Sequence, residues 1–237
     1  MQHVQDSPYA AGTVIVPAAS LARYSEFWLA LESLQVPYGT RLICARGADI
    51  PHQLNQGVRG MSGEWCWFLG DDHTFEPGLL MALLAREKDA VLPLVPRRDP
   101  PFSPVLLHGP LAPQMRPYWW TALPAEGLFQ LPRNDSAGQA GMLVRKPVLD
   151  RLGDPWFEGG KLTPGRLMED MYFVQRLHDL GVEIWIDCDQ VMGHIANLAV
   201  TPYRAHGRWY PALPSKRGPM VLEDPFVPVG KNVRVVG

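Results

Sequence analysis

Three short stretches hold side chains that could do chemistry together. Asp71, Asp72 and His73 follow directly on the apolar run "EWCWFLG". Adjacent carboxylates repel one another, so such a pair calls for a cation, a basic partner or solvent. Carboxylates with an imidazole are ligands for a divalent cation that keeps open positions for phosphate oxygens. The competing reading is a solvated turn capping the helix that starts near Pro77. Glu169 and Asp170 open the stretch "MEDMYFVQRLHDLG", where acids complement the helix dipole; one of them could equally take a proton from an acceptor hydroxyl. His194, in "QVMGHI", follows the last strand. Alone it reads as a structural histidine, but with the other two clusters it completes a set of three, each behind its own strand–loop unit.

The elements that must carry these residues read as alternating strands and helices. "GTVIVPA" is a β-branched strand closed by proline, and "LARYSEFWLALESL" has apolar residues at helical spacing. "TRLICAR" is a second strand, "ADIPHQLNQGVRGMSG" a turn with a short helix, and "EWCWFLG" a third strand. "EPGLLMALLAREKD" predicts a helix with Pro77 near its first turn, and "AVLPLVP" a fourth strand. From Arg97 to about residue 137 the periodicity gives way to proline- and aromatic-rich sequence. "GQAGMLVRKPVLDRLG" restores a strand and a short helix, the Met168–Gly181 stretch is an amphipathic helix, and "VEIWIDCDQVMGHI" predicts a final strand pair. Such alternation implies parallel strands joined by right-handed crossovers. The expected fold is α/β, a single Rossmann-like, mostly parallel central sheet flanked by helices. In open sheets of this kind ligands bind beyond the carboxyl ends of the strands, where Asp71–His73 fall.

Composition narrows the class. At 237 residues with 46% hydrophobic and 19% charged content, the chain is globular and long enough for one full core. A net charge of −2 gives no general attraction to nucleic acid or anionic lipid. No apolar run reaches the roughly 20 residues needed to cross a bilayer. The N-terminus lacks the pattern of a signal peptide, so a cytoplasmic location is expected. Cys44, Cys66 and Cys188 are odd in number, widely spaced and set in apolar segments, as expected of reduced core cysteines. The 24 prolines and 22 glycines imply long, shaped loops.

The order of motifs carries a resemblance. "TVIVPA", "WFLGDDHTFEPGLLMALL", "AGMLVRKPVLDRLGDPWFE" and "MEDMYFVQRLHDLGVEIWIDCDQVMGHI" together resemble the glycosyltransferases of the A-type fold. They look most like the large inverting family built on an Asp-x-Asp motif (family 2-like), over residues 12 to 196. The resemblance implies a catalytic domain over 1–195, with an irregular acceptor region at about 97–137 and a tail or lid over 196–237. It implies transfer of a sugar from a nucleotide-diphosphate sugar, UDP- or GDP-linked, to an acceptor hydroxyl, with Mn2+ or Mg2+ as cofactor. Inversion is expected, with retention still open. Counted back from Pro77, Asp72 matches the second acid of the motif and Gly70 stands where the first would be. A one-residue shift gives Asp71-x-His73 instead, similar to an Asp-x-His variant, so Asp71, Asp72 and His73 all stand as candidates. His194 matches the late metal-binding histidine, Asp170 the catalytic base and Glu169 its companion.

The same resemblance implies a nucleotide pocket between the first two strands, lined by Pro17, Ala18 and Ala19, with Arg46, Asp49, Asn55 and Asp71 as donor contacts. Arg59 reads as structural. Arg97 or Arg98 could neutralise diphosphate or acceptor charge. Trp119, Trp120 and Trp156 are candidate acceptor platforms; for Tyr118, Trp119 and Trp120 taken singly, core packing is the favoured reading. His206, Trp209 and Tyr210 could form a lid. The acceptor stays open among a glycan, a lipid-linked sugar, a protein and a modified nucleic acid. Two alternatives remain: a sugar-phosphate nucleotidyltransferase, or a non-catalytic carbohydrate- or nucleotide-binding module.

Overall fold

The fold is given by a computed structural model of the chain. The structure describes residues 1–18, 24–47, 49–99, 102–109, 116–159 and 168–196, and the backbone of four further strands between 201 and 235. In chain order the elements of the first part are β1 (Gln2–Val4), β2 (Thr13–Pro17), α1 (Ser25–Ser33), β3 (Gln35–Pro37), β4 (Arg41–Ala45), α2 (Ile50–Arg59) and β5 (Trp65–Phe68). There follow β6 (His73–Phe75), α3 (Leu79–Ala85), β7 (Ala90–Leu94), β8 (Leu106–His108), β9 (Arg116–Pro117), a 3-10 turn (Trp120–Ala122), β10 (Leu128–Gln130) and β11 (Ser136–Ala137). The last are β12 (Leu143–Arg145), α4 (Lys146–Leu152), α5 (Glu169–Asp179) and β13 (Ile184–His194), then the tail strands β14 (Thr201–Ala205), β15 (Arg208–Leu213), β16 (Met220–Leu222) and β17 (Val233–Val235).

The central sheet has the order β10-β13-β7-β12-β5-β2-β4, with β6 paired to β13 off this path. β4, β2, β5, β7 and β13 run one way, while β12 runs against both its neighbours and β10 against β13. The sheet is therefore mixed, mostly parallel in direction, with an antiparallel strand wedged between β5 and β7. From β2 the chain passes outward to β4 and then crosses back over β2 to β5. The chain leaves β2 toward β4 and β5 toward β7, in opposite directions across the sheet, and open α/β sheets place their ligands where connections part in this way.

Burial explains which runs became central strands. Val14, Ile15, Val16 and all four residues of β5 are buried, as befits strands covered on both faces. The main core gathers Phe68, Phe157 and Phe173, whose rings meet at 5.2, 5.6 and 4.4 Å. Burying side chains of this size contributes about 1.5–3 kcal/mol each. α5 packs Phe173, Val174, Leu177 and His178 inward, as its periodicity predicts. Proline 77 lies two residues before α3, whose N-cap position is Gly78. A smaller sheet, β11-β8-β9, gives regular structure to part of the proline-rich region.

Three expectations are corrected. The final strand pair is one eleven-residue strand, β13, whose register shifts between Asp187 and Val191. Its first half pairs with β7 and its end with β6. The bulge is braced by Arg86, which donates to both Asp187 oxygens (2.7 and 2.9 Å) and to Asp189 (2.6 Å). Second, the stretch after Asp72 is a short strand, β6, rather than the lead-in to a helix cap. Third, Cys44 is exposed on β4, while Cys66 and Cys188 are buried; all three are free.

The chain divides into two compact units, residues 1–96 with 103–194, and residues 97–102 with 195–237. In the second unit β14, β15, β16 and β17 form an antiparallel sheet in that order. Among the described residues no helix is long and apolar enough to cross a membrane.

Candidate active site

The pairing of β6 with β13 builds the site. In their antiparallel register His73 lies directly opposite His194, and Gly193 opposite Thr74. The two imidazoles stack with centroids 4.4 Å apart. Asp72, one residue before β6, reaches both: its Oδ1 lies 3.0 Å from His73 Nδ1 and its Oδ2 3.3 Å from His194 Nε2. Asp72, His73 and His194 each offer one ligand atom, and these atoms lie within 4.8 Å of one another. The group is largely sheltered, with the His194 side chain 16% exposed.

Hydrogen bonds fix which nitrogens face the centre. His194 Nδ1 lies 3.0 Å from the Pro96 carbonyl, which can only accept, so this nitrogen carries the proton. In the neutral ring Nε2 then presents a lone pair toward a carboxylate oxygen 3.3 Å away. Two acceptors in that position need positive charge between them, either a proton on the ring or a bound cation. His73 Nδ1 faces two acceptors, the Gly70 carbonyl at 3.3 Å and Asp72 Oδ1 at 3.0 Å. Burial works to raise the Asp72 carboxyl, but with the rings protonated the bonds and charge of His194 and His73 outweigh it and hold the group well below the usual carboxylate range. An ionised carboxylate and two imidazoles oriented through carbonyl oxygens are a donor set for a divalent cation. The residues present fit one.

Gly70 explains the departure from an Asp-x-Asp pattern. A Cβ there would lie 2.7 Å from His73 Nδ1 and 2.9 Å from Asp72 Oδ1. The volume a first acid would fill is already taken by the Asp72–His73 pair. The structure brings contiguous Asp72 and His73 to His194; Asp71 is buried beside them at 4% exposure and is not in the ligand cluster.

Glu169 and Asp170 form the first turn of α5, both partly buried. Asp170 Oδ1 accepts from the Met171 N–H at 2.7 Å, and its Oδ2 lies 3.8 Å from where a Cβ would project at Gly138. Main-chain bonds link that point to the metal-ligand candidates. The Gly138 N–H donates to Val105 O at 3.0 Å, and the Val105 N–H to Val95 O at 2.9 Å. The next residue, Pro96, holds His194. Gly138 and Val95 are thus two strand spacings apart, about 10 Å.

The other candidates divide by placement. Pro17 and Ala18 end β2, and the Ala18 N–H donates to Ala45 O at 3.0 Å; Ala19 lies outside the described residues. Arg46 is exposed just past β4. Asp49 caps α2, accepting from the His52 N–H at 2.8 Å. Asn55 is buried and spends its amide on the main chain of Trp156 and Phe157. Arg59 pairs with Asp154 through two bonds of 2.5 and 2.7 Å. Arg97 and Arg98 are exposed, in the second unit. Trp119 and Trp120 are exposed around the 3-10 turn. Trp156 is half-buried against the core, its indole N–H donating to Leu149 O at 2.7 Å. Tyr118 is buried, stacked on His108 with its hydroxyl donating to Asp135. His206 and the side chains of Trp209 and Tyr210 lie outside the described residues.

Sequence reasoning missed Pro96 and Gly193, and read Gly70 only as a departure from the motif. A glycine beside each candidate ligand was a readable signal of close approach; the role of the Pro96 carbonyl has no side-chain signature.

No family model matches the chain, and no curated protein matches it by sequence. Among solved structures it is similar to A197 from STIV, at 11% identity over 87% of this chain and 100% of that one, with a TM-score of 0.48. It is also similar to GalNAc-T7, solved with UDP, GalNAc and Mn2+, at 11% identity over 85% of this chain, with a TM-score of 0.56. The chain spans 45% of the GalNAc-T7 chain. At this identity the likeness is one of fold: the chain has a mixed α/β architecture like that of a glycosyltransferase of the A type.

Proposed function

We propose that the protein is a metal-dependent glycosyltransferase that moves a sugar from a nucleotide-diphosphate sugar to an acceptor hydroxyl with inversion. The observation that carries this reading is the Asp72–His73–His194 cluster, set just past β5 in a fold shared with a protein solved with UDP, GalNAc and Mn2+. Asp72, His73 and His194 would hold a divalent cation, Mn2+ or Mg2+, which supplies charge neutralisation for the diphosphate leaving group. Pro17 and Ala18, at the end of β2, would border the nucleotide in the crevice between β2 and β5. Asp170 would take the proton of the acceptor hydroxyl as its oxygen bonds to the anomeric carbon. The bond from that carbon to the diphosphate breaks on the opposite face, and the electron pair leaves with the nucleoside diphosphate. Glu169 shares the helix turn and adds negative potential where the proton arrives.

The test is nucleoside-diphosphate release from a panel of UDP- and GDP-sugars with Mn2+. Asp72→Ala is expected to abolish both release and Mn2+ binding. Asp170→Asn should retain metal and donor binding while kcat falls by roughly 10²–10⁴-fold, the range of general-base catalysis. Nucleotide-sugar binding that is independent of metal and unaffected by Asp72→Ala would overturn the reading.

A further inference from the structure

Between α4 and α5 the chain crosses from Gly153 to Gly159 without regular structure, yet it is clasped from two helices at once. From α2, Asn55 Nδ2 donates to the Phe157 carbonyl at 2.7 Å, and Asn55 Oδ1 accepts from the N–H groups of Trp156 and Phe157, both at 3.0 Å. Asn55 is 7% exposed, so all three bonds form out of water. Also from α2, Arg59 pairs with Asp154 at the surface. From α5, Arg176 donates to the carbonyls of Leu152, Gly153 and Pro155. The segment also packs on α5 itself: Phe157 stacks on Phe173 at 4.4 Å. Phe173 and Arg176 lie within two turns of Asp170 on one short helix.

Resting on the glycosyltransferase reading, we propose that Asn55 is a positioning residue for Asp170. A planar amide with one donor and one doubly used acceptor fixes the Phe157 backbone relative to α2. Phe157 fixes Phe173 by stacking, and so fixes the start of α5 that presents the base. Asn55 thus acts through the strap, with no contact to donor or metal. Catalytic geometry is sensitive to such support, because a misplacement of about 1 Å can cost on the order of 100-fold in rate.

Asn55→Ala removes all three bonds. Asn55→Asp keeps the two accepted bonds and loses the donated one. In both, kcat for nucleoside-diphosphate release with Mn2+ should fall, by about 10–100-fold in Asn55→Ala, with KM for the donor and the Mn2+ affinity unchanged. Amide hydrogen exchange should quicken over residues 169–173 as well as 156–158. Arg59→Asp holds the strap less well from an exposed position and should lower kcat by a few-fold, and adding Asp154→Arg should recover it. A purely structural Asn55 would lower thermal stability while leaving kcat and exchange over 169–173 as in the wild type; that result overturns the proposal. If the wild type turns over no nucleotide sugar, the glycosyltransferase reading fails first. Exchange then decides the strap by itself, and protection over 169–173 unchanged in Asn55→Ala refutes it.

Discussion

At the residue scale, the composition of the ligand cluster decides what it should hold. One carboxylate and two imidazoles form a borderline donor set, unlike the all-oxygen sets that favour Mg2+. Affinity is therefore expected to rise from Mg2+ through Mn2+ to Co2+, with Zn2+ tighter than Mn2+, read by tryptophan fluorescence and Mn2+ competition. His73→Ala or His194→Ala should weaken Mn2+ binding by more than the roughly 10–100-fold that a change behind a ligand costs. Equal affinity for Mg2+ and Mn2+ would argue against imidazole ligation. The ligand types were legible in the sequence, because acids and histidines at strand ends stand out there. Their register was not. Counting from Pro77 puts Gly70 in the place of an acid, and only the contact of a Gly70 Cβ with Asp72 and His73 shows why no acid fits. Asn55 is the opposite case. A polar residue in a helix near the expected crevice reads as a ligand contact, whereas its partners, Trp156 and Phe157, lie about a hundred residues later in the chain.

At the element scale, the site depends on β6 lying flat against the end of β13. Gly193 makes this possible, since a Cβ there would meet Thr74 Oγ1 at 2.3 Å. Gly193→Ala should push β6 away, costing about 1–3 kcal/mol as overpacking does, and should weaken metal binding because His73 moves with its strand. Thr74→Ala in the Gly193→Ala background removes the clashing oxygen and should restore both properties, measured by thermal denaturation and Mn2+ titration. If the single variant binds Mn2+ normally, β6 does not set the ligand geometry. The long elements were readable because period and length both spoke for them: β2, β5, β7, α2 and α5 all stand where the patterning puts them. β6 has three residues, too few to show alternation, and the bend of β13 arises from tertiary contacts. Arg86, at the C-terminal cap of α3, reaches Asp187 and Asp189 across about a hundred residues of sequence.

At the scale of the whole molecule, acid sensitivity should reveal two buried groups in separate windows. His178 lies on the inner face of α5, its Nε2–H donating to the Asp135 carbonyl at 3.1 Å and its Nδ1 buried without a hydrogen-bond partner among the described residues. Burial lowers its pKa, and the bond to Asp135 only partly opposes this. The ring is neutral in the fold and protonates more readily in the unfolded chain, whose pKa is about 6.5. Stability from His178 is thus fully present above that value. It declines as the pH falls from there toward the lower folded pKa, with a slope of at most about 1.4 kcal/mol per pH unit for one proton. Asp72 is depressed, so its contribution is present above the ordinary carboxylate pKa of about 3.9 and is lost only below it. Urea denaturation between pH 7.5 and 4.5 should show stability falling from about pH 6.5, a fall that His178→Gln flattens and Asp72→Asn leaves in place. A wild-type curve that stays level to pH 5, or a slope unchanged in His178→Gln, would place the proton uptake elsewhere. Because α5 carries His178 at one end and Asp170 at the other, the same titration loosens the helix that presents the proposed base. Turnover at saturating Mn2+ should then fall with stability in that window.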